Sequence, residues 1–154
     1  MFHVEVLEDN FPVDDISKEI SKIKKECNLG VNWTNILLQS EDGKPYPSSD
    51  LPENYYNKTI FEFAKTINRI IDKYGLVKTG LVKLTPRRST QLTRSLSKRV
   101  FVPILYPLGN YTIVDGKSYS FEPGRVYLVN TTLPYALVNA SDSPRVELIG
   151  RMYS

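Results

Sequence analysis

Two periodicities divide the chain. In the first half, Ile16, Ile20, Ile23 and Cys27 fall at i, i+4, i+7 and i+11 and make one apolar stripe. The pattern predicts a helix N-capped by Asp14 or Asp15, running to about Cys27 and stopped by Asn28 and Gly30. A second helix is predicted from about Asn57 to Tyr74. Ile60, Phe63, Ile67, Ile70, Ile71 and Tyr74 lie along one side of it, and Gly75 is its stop. Phe2–Leu7 reads as a short strand with Phe2, Val4 and Val6 on one face, and Trp33–Gln39 as another. Glu41–Glu53 contains Gly43, Pro45, Pro47 and Pro52 and reads as a loop.

After Gly75 the period shortens. Strand-like runs follow at Leu81–Thr85, Val100–Tyr106, Tyr111–Val114, Ser118–Phe121, Arg125–Val129, Tyr135–Asn139 and Val146–Arg151. Pro86, Pro107–Asn110, Asp115-Gly116, Pro123-Gly124 and Ser141–Pro144 separate them, and Asp115-Gly116 is a hairpin signal. Seven short strands so punctuated predict an antiparallel sandwich or barrel, with the preceding helices packed on one outer face. The expected class is α+β, mainly β. It is one domain over 1–154, with a helical part (1–75) and a β core (76–154).

Composition narrows the chemistry. With 154 residues, 41% hydrophobic and 24% charged, the chain is no disordered tail. One cysteine and one histidine (Cys27, His3) exclude an intrachain disulfide, a zinc finger and an HExxH site. Cys27 reads as a buried helix residue, since no activating base accompanies it. No apolar run approaches the roughly 18 residues of a membrane span. The acids Glu5, Glu8, Asp9, Asp14 and Asp15 near the start are unlike a secretory signal peptide. A reducing compartment, the cytoplasm or an assembled particle, is expected.

Charge is unevenly spread. Residues 1–62 carry 12 acids and 6 bases; residues 63–154 carry 5 acids and 14 bases. From Lys73 to Val114 there is no acid, while Lys73, Lys78, Lys83, Arg87, Arg88, Arg94, Lys98 and Arg99 are basic. Such a run is either a solvated basic face or an anion or partner site. Nucleic acid is disfavoured, because the run lacks interleaved aromatics. Arg87, Arg88 and Arg94 are the interface candidates, with Tyr46, Tyr55 and Tyr56 in or beside the proline-rich loop. Tyr106, Tyr111, Tyr119 and Tyr127 read as sheet packing.

Leu81–Pro86, Arg99–Ile104, Phe121–Asn130 and Tyr135–Leu148 together resemble the aspartyl/asparaginyl β-hydroxylase branch of the 2-oxoglutarate/Fe(II) oxygenases. The most specific block is the V-N-x-S-D-x-x-R-V-x-L pattern from Val138 to Leu148. The resemblance covers about half of the chain. It implies a double-stranded β-helix (jelly roll or cupin fold) with two N-terminal helices packed on one sheet.

That family holds Fe(II) with an HxD pair and a distal histidine. The resemblance puts those positions at Gln91, Thr93 and Tyr135, where neither imidazole nor carboxylate is present. Tyr135 is expected to fill the vacated space, with its hydroxyl near Arg145 or Gln91. Arg145, ten residues after Tyr135, matches the arginine that grips the cosubstrate carboxylate, and Arg99 matches a second family arginine. A structural role for Arg145, paired with Asp142 or Glu147, is the competing reading. Asn139 and Ser141-Asp142 read as turn chemistry.

Three functions follow. The first is a non-catalytic structural, assembly or binding component without cofactor. Small proteins of this kind look similar to some found in tailed bacteriophages, which implies other protein subunits, virion proteins among them, as partners. The second is a dioxygenase using 2-oxoglutarate and Fe(II), with displaced ligands drawn from His3, Glu122, Asp142 and Glu147. The third is a metal-free carboxylate-binding protein using Arg145 and Arg99.

Overall fold

A computed structural model describes residues 2–30, 33–40, 42–47, 58 and 61–152. The order is β1 (Val4–Glu8), α1 (Val13–Glu26), β2 (Asn35–Leu37), β3 (Tyr46–Pro47), α2 (Lys65–Tyr74), β4 (Leu76–Leu84) and β5 (Arg88–Ser89). Then come β6 (Arg99–Leu105), β7 (Asn110–Val114), β8 (Lys117–Tyr119), β9 (Val126–Val129), β10 (Tyr135–Asn139) and β11 (Arg145–Met152). Every strand pairing is antiparallel. One sheet runs β1-β9-β6-β11-β4-β2-β3 and the other β5-β10-β7-β8.

Two apolar cores sit on opposite faces of the larger sheet. The stripe of α1 (Ile16, Ile20, Ile23) and that of α2 (Ile67, Ile70, Ile71) pack on one face, against Leu81, Val100, Val102, Val126 and Leu148. Strand alternation sends Phe101, Tyr127, Val129 and Ile149 to the other face. There they meet Val114, Tyr135 and Leu137 of the smaller sheet, so the second core lies between the sheets. The helices therefore pack on one sheet, as the sequence pattern predicts.

Several boundaries differ from expectation. β1 is an edge strand that starts at Val4, and Val6 is exposed rather than inward. α1 starts at Val13 with Pro12 at the cap, so Asp14 and Asp15 lie in the first turn, where they favour the helix dipole without capping it. α2 starts at Lys65, eight residues later than expected; Asn57 and Ile60 lie outside the described residues. Its N-terminus is capped from a distance. The buried Glu19 carboxylate of α1 accepts the Thr66 N–H (2.9 Å) and the Ile67 N–H (3.0 Å), satisfying two of the free donors of the first turn. Gly75 closes α2 in the left-handed region (φ 58°), as expected.

The chain then enters β4 directly at Leu76, five residues before the predicted strand. A bulge explains the difference. Lys78 is left-handed (φ 55°), so a local reading sees a turn where the strand continues. β3 lies in the expected loop and β5 in a gap between predicted strands. The Asp115-Gly116 hairpin holds: both residues have positive φ (49° and 80°) and join β7 to β8. No helix among the described residues is long and apolar enough to cross a membrane.

Candidate functional site

The segment after β5 runs alongside β10 and brings two of the expected positions together. Thr93 N–H donates to the Tyr135 carbonyl (3.0 Å), and Tyr135 N–H donates to the Thr93 carbonyl (2.8 Å). This reciprocal pair sets the two side chains on one face, with Cα atoms about 5.5 Å apart. Gln91 is two residues away and, like Thr93, exposed. Thr93 and Tyr135 thus stand side by side, and of the three expected positions only Tyr135 is buried between the sheets.

The Tyr135 ring lies 5.9 Å from the Arg99 guanidinium. Its hydroxyl is 3.5 Å from Ser95 Oγ, not beside Arg145 or Gln91 as the sequence suggests. The reason is topological. Tyr135 opens β10 and Asn139 closes it; Asn139 bonds the carbonyl of Leu84, the cross-strand partner of Arg145, so Tyr135 and Arg145 stand toward opposite ends of the interior. Arg99, at the start of β6, is Tyr135's neighbour.

Arg145 is fully buried and closed onto internal partners. Its Nε donates to Glu147 Oε1 (2.9 Å), Nη2 to Thr112 Oγ1 (2.8 Å) and Nη1 to the Tyr111 carbonyl (2.9 Å), and Nη2 is ion-paired with Glu147 Oε1 at 2.8 Å. The guanidinium lies over the Tyr106 ring at 4.5 Å. Of the two acids expected as its partner, Glu147 takes the role. Asp142 instead pairs with Arg87 (2.6 Å) on the surface. Glu147 is buried, and its Oε2 has no hydrogen-bond partner among the described residues. Burial pushes its carboxyl up from the usual range, against the opposing pull of Arg145.

The remaining expected residues disperse. His3 contacts Tyr119 (2.7 Å) and Asp115, and Glu122 lies by Arg125 (3.5 Å). With Glu147 on Arg145 and Asp142 on Arg87, the four proposed replacement ligands do not converge. Among the described residues no three of His, Cys, Asp and Glu could hold a metal ion. Asn139 is a turn residue, as expected: its Nδ2 donates to the carbonyls of Leu84, Thr85 and Ser143, and its Oδ1 accepts from Ser141. Arg88 and Arg94 are exposed, whereas Arg87 is committed to Asp142. Tyr111 is 41% exposed rather than packed. Cys27 is only half-buried, and burial with Glu26 nearby raises its pKa. Tyr55 and Tyr56 lie outside the described residues, as does the side chain of Tyr46.

One feature escaped the sequence reading. A cavity of about 130 Å³ opens beside Arg99, lined by Lys78, Arg151, Ile36, Val82 and Ile149. Arg99 was legible as a candidate. Lys78 stood in the basic run and Arg151 outside it, and only the sheet pairing brings both to Arg99.

No sequence-family model matches the chain, and no curated protein matches it. Solved structures do. A 2OG-Fe(II) oxygenase-family oxidoreductase from Burkholderia pseudomallei aligns over 97% of this chain and 83% of its own, with TM-score 0.62 and 10% identity. A prolyl-4-hydroxylase from Pseudomonas putida aligns over 97% and 87%, at TM-score 0.57 and 11% identity. A non-heme monooxygenase–nickel complex aligns over 97% and 71%, at TM-score 0.55 and 10% identity. The chain has the fold of 2OG-Fe(II) oxygenase-family proteins. At these identities the likeness concerns fold alone.

Proposed function

We propose that this chain is an oxygenase-fold protein that has lost iron chemistry and acts as a binding or assembly component. The order β4-β11-β6-β9 facing β5-β10-β7-β8 supports reading the sheets as a double-stranded β-helix. The Phe121–Leu148 blocks favour its aspartyl/asparaginyl hydroxylase-like branch. One observation carries the functional reading. Of the three positions that would hold iron, Thr93 and Tyr135 stand side by side, and the three offer an amide, a hydroxyl and a buried phenol. These donors do not fit Fe(II), which this fold binds through two imidazoles and a carboxylate. The closure of Arg145 onto Glu147 supports the same reading, since it occupies the arginine a cosubstrate carboxylate would need.

The dioxygenase reading rests on the fold likeness. The test is turnover: the protein with Fe(II), ascorbate and 2-oxoglutarate is expected to form no succinate above a protein-free control. Succinate formation that depends on the protein would reverse the assignment.

The assembly role draws support from the segment between β5 and β6. Leu92 (67% exposed) and Leu96 (95% exposed) flank the exposed Arg94 there, and Arg88 is exposed on β5. Apolar side chains beside positive charge suit an acidic protein partner, a virion subunit being one candidate. Reversing Arg88 and Arg94 to Glu is expected to abolish co-sedimentation with the native assembly at about 50 mM salt, where screening is weak. Equal association of parent and variant at low and high salt would make the segment a solvated face.

A further inference from the structure

We propose that Lys78, Arg99 and Arg151 form a binding pocket for a tetrahedral dianion: inorganic phosphate or the phosphoryl end of a small molecule. Arg99 and Arg151 are Cα partners across β6 and β11. Directly opposed residues share a face, with Cβ atoms about 4.5–5.5 Å apart, and like charges so placed repel. Both line the same cavity as Lys78.

Lys78 reaches that cavity through a built irregularity. Ile149 pairs with Gly80 and Arg151 with Val77, so Lys78 and Thr79 together oppose Gly150. A bulge of this kind re-aims a side chain, and here it needs Lys78 in the left-handed region, which lysine disfavours. The surroundings hold it there. Thr79 N–H donates to Gln39 Oε1 (2.9 Å), Gln39 Nε2 donates to the Leu76 carbonyl (2.9 Å), and Leu38 N–H donates to the Thr79 carbonyl (2.9 Å). Gly150 leaves the room: a Cβ there would lie 2.6 Å from Leu76 Cδ1 and 2.8 Å from Thr79 Oγ1. Strain pinned from several sides, at the mouth of a charged cavity, is a mark of function.

The charge is not neutralised from within. No carboxylate lines the cavity, and none of the three cations has an ion-pair partner among the described residues. Arg99 Nε is buried with no hydrogen-bond partner there. Burial and the neighbouring Arg151 work against the charge on Arg99, and Tyr135 works for it. An anion in the cavity would relieve all three cations at once. The volume of about 130 Å³ equals about four waters at roughly 30 Å³ each. That admits a phosphate, but it is well below the roughly 300 Å³ at which sites for drug-sized ligands begin. A planar carboxylate is satisfied by one guanidinium fork; a tetrahedral dianion offers oxygens to three cations on different strands. Arg145 takes no part.

The test titrates inorganic phosphate, glycerol phosphate and succinate by calorimetry into the chelator-treated full chain at fixed ionic strength. Chelation makes the result independent of whether the protein can bind iron. One saturable site is expected, at least tenfold tighter for a phosphoryl dianion than for succinate. Arg151→Gln and Lys78→Gln should each weaken it about tenfold or more, the loss of one charge-assisted hydrogen bond. Arg151→Lys should retain most of the affinity, and the exposed Lys25→Gln all of it. Without anion, Arg151→Gln should melt no lower than the parent, because it removes a repulsion. Tighter binding of glycerol phosphate would mark a phosphorylated small molecule, and tighter binding of phosphate the free ion. No saturable binding, unchanged binding in both folded Gln variants, or a preference for succinate would overturn the proposal.

Discussion

Arg145→Met is expected to destabilise the protein by about 3–5 kcal/mol, the usual consequence of removing one partner of a buried ion pair. Three internal acceptors lose a donor: Glu147 Oε1, Thr112 Oγ1 and the Tyr111 carbonyl. Glu147 would then be a buried carboxylate with no partner on either oxygen, since Oε2 already has none. The loss should depend on pH, and its sign follows from the raised carboxyl. A group whose folded pKa lies above its unfolded value favours folding while protonated. Its contribution is present below the unfolded carboxylate pKa of about 4.3 and disappears as pH rises through the folded value. Without Arg145 that folded value should rise further, so the variant should be weakest relative to the parent near neutral pH and recover toward acid. Chemical denaturation across pH 4–8 measures this. The Arg145→Met/Glu147→Leu double variant should regain most of the stability, because well-packed apolar pairs often replace buried ion pairs without loss. If Arg145→Met is as stable as the parent, Arg145 is no internal brace, and its role as a ligand arginine reopens.

The second large effect is a gain. Gln91→His, Thr93→Asp and Tyr135→His introduced together should bind Ni(II) with a dissociation constant on the order of micromolar, about −8 kcal/mol. The reciprocal Thr93–Tyr135 backbone pair already places two of the positions side by side, and imidazole suits nickel. Tyr135→His alone should show no comparable binding, since one ligand cannot hold the ion. Turnover need not return with the metal, because the groups that orient such ligands are a separate requirement. A folded triple variant that binds no nickel, by calorimetry and visible absorption, would show that these are not the vestigial ligand positions.

Legibility followed the range of the interactions. The stripes of α1 and α2 and the Asp115-Gly116 hairpin depend on neighbours within a few residues, and their local pattern carries them. The start of α2 does not, because its cap is the carboxylate of Glu19 on another helix. The first half of β4 was hidden by its own bulge, since Lys78-Thr79-Gly80 is held in place by Gln39, about 40 residues away. At the site, the proximity of Thr93 and Tyr135 was readable only through the family pattern. The partner of Arg145 was within reach of a simpler rule. Residues i and i+2 of a strand share a face, and that rule chooses Glu147 over Asp142, the two acids the sequence offers Arg145. The gathering of Lys78, Arg99 and Arg151 had no local signal, because it depends on how β4, β6 and β11 pair.

Loss of iron chemistry requires that this chain bind no iron. Elemental analysis after anaerobic reconstitution with Fe(II) and 2-oxoglutarate, followed by desalting, measures it directly. If Gln91, Thr93 and Tyr135 have replaced the ligands, iron should remain far below one per chain, no higher than in a Tyr135→Phe variant. Retention near one iron per chain, lost on substituting any of the three positions, would contradict the account and make the protein an oxygenase with an unforeseen ligand set.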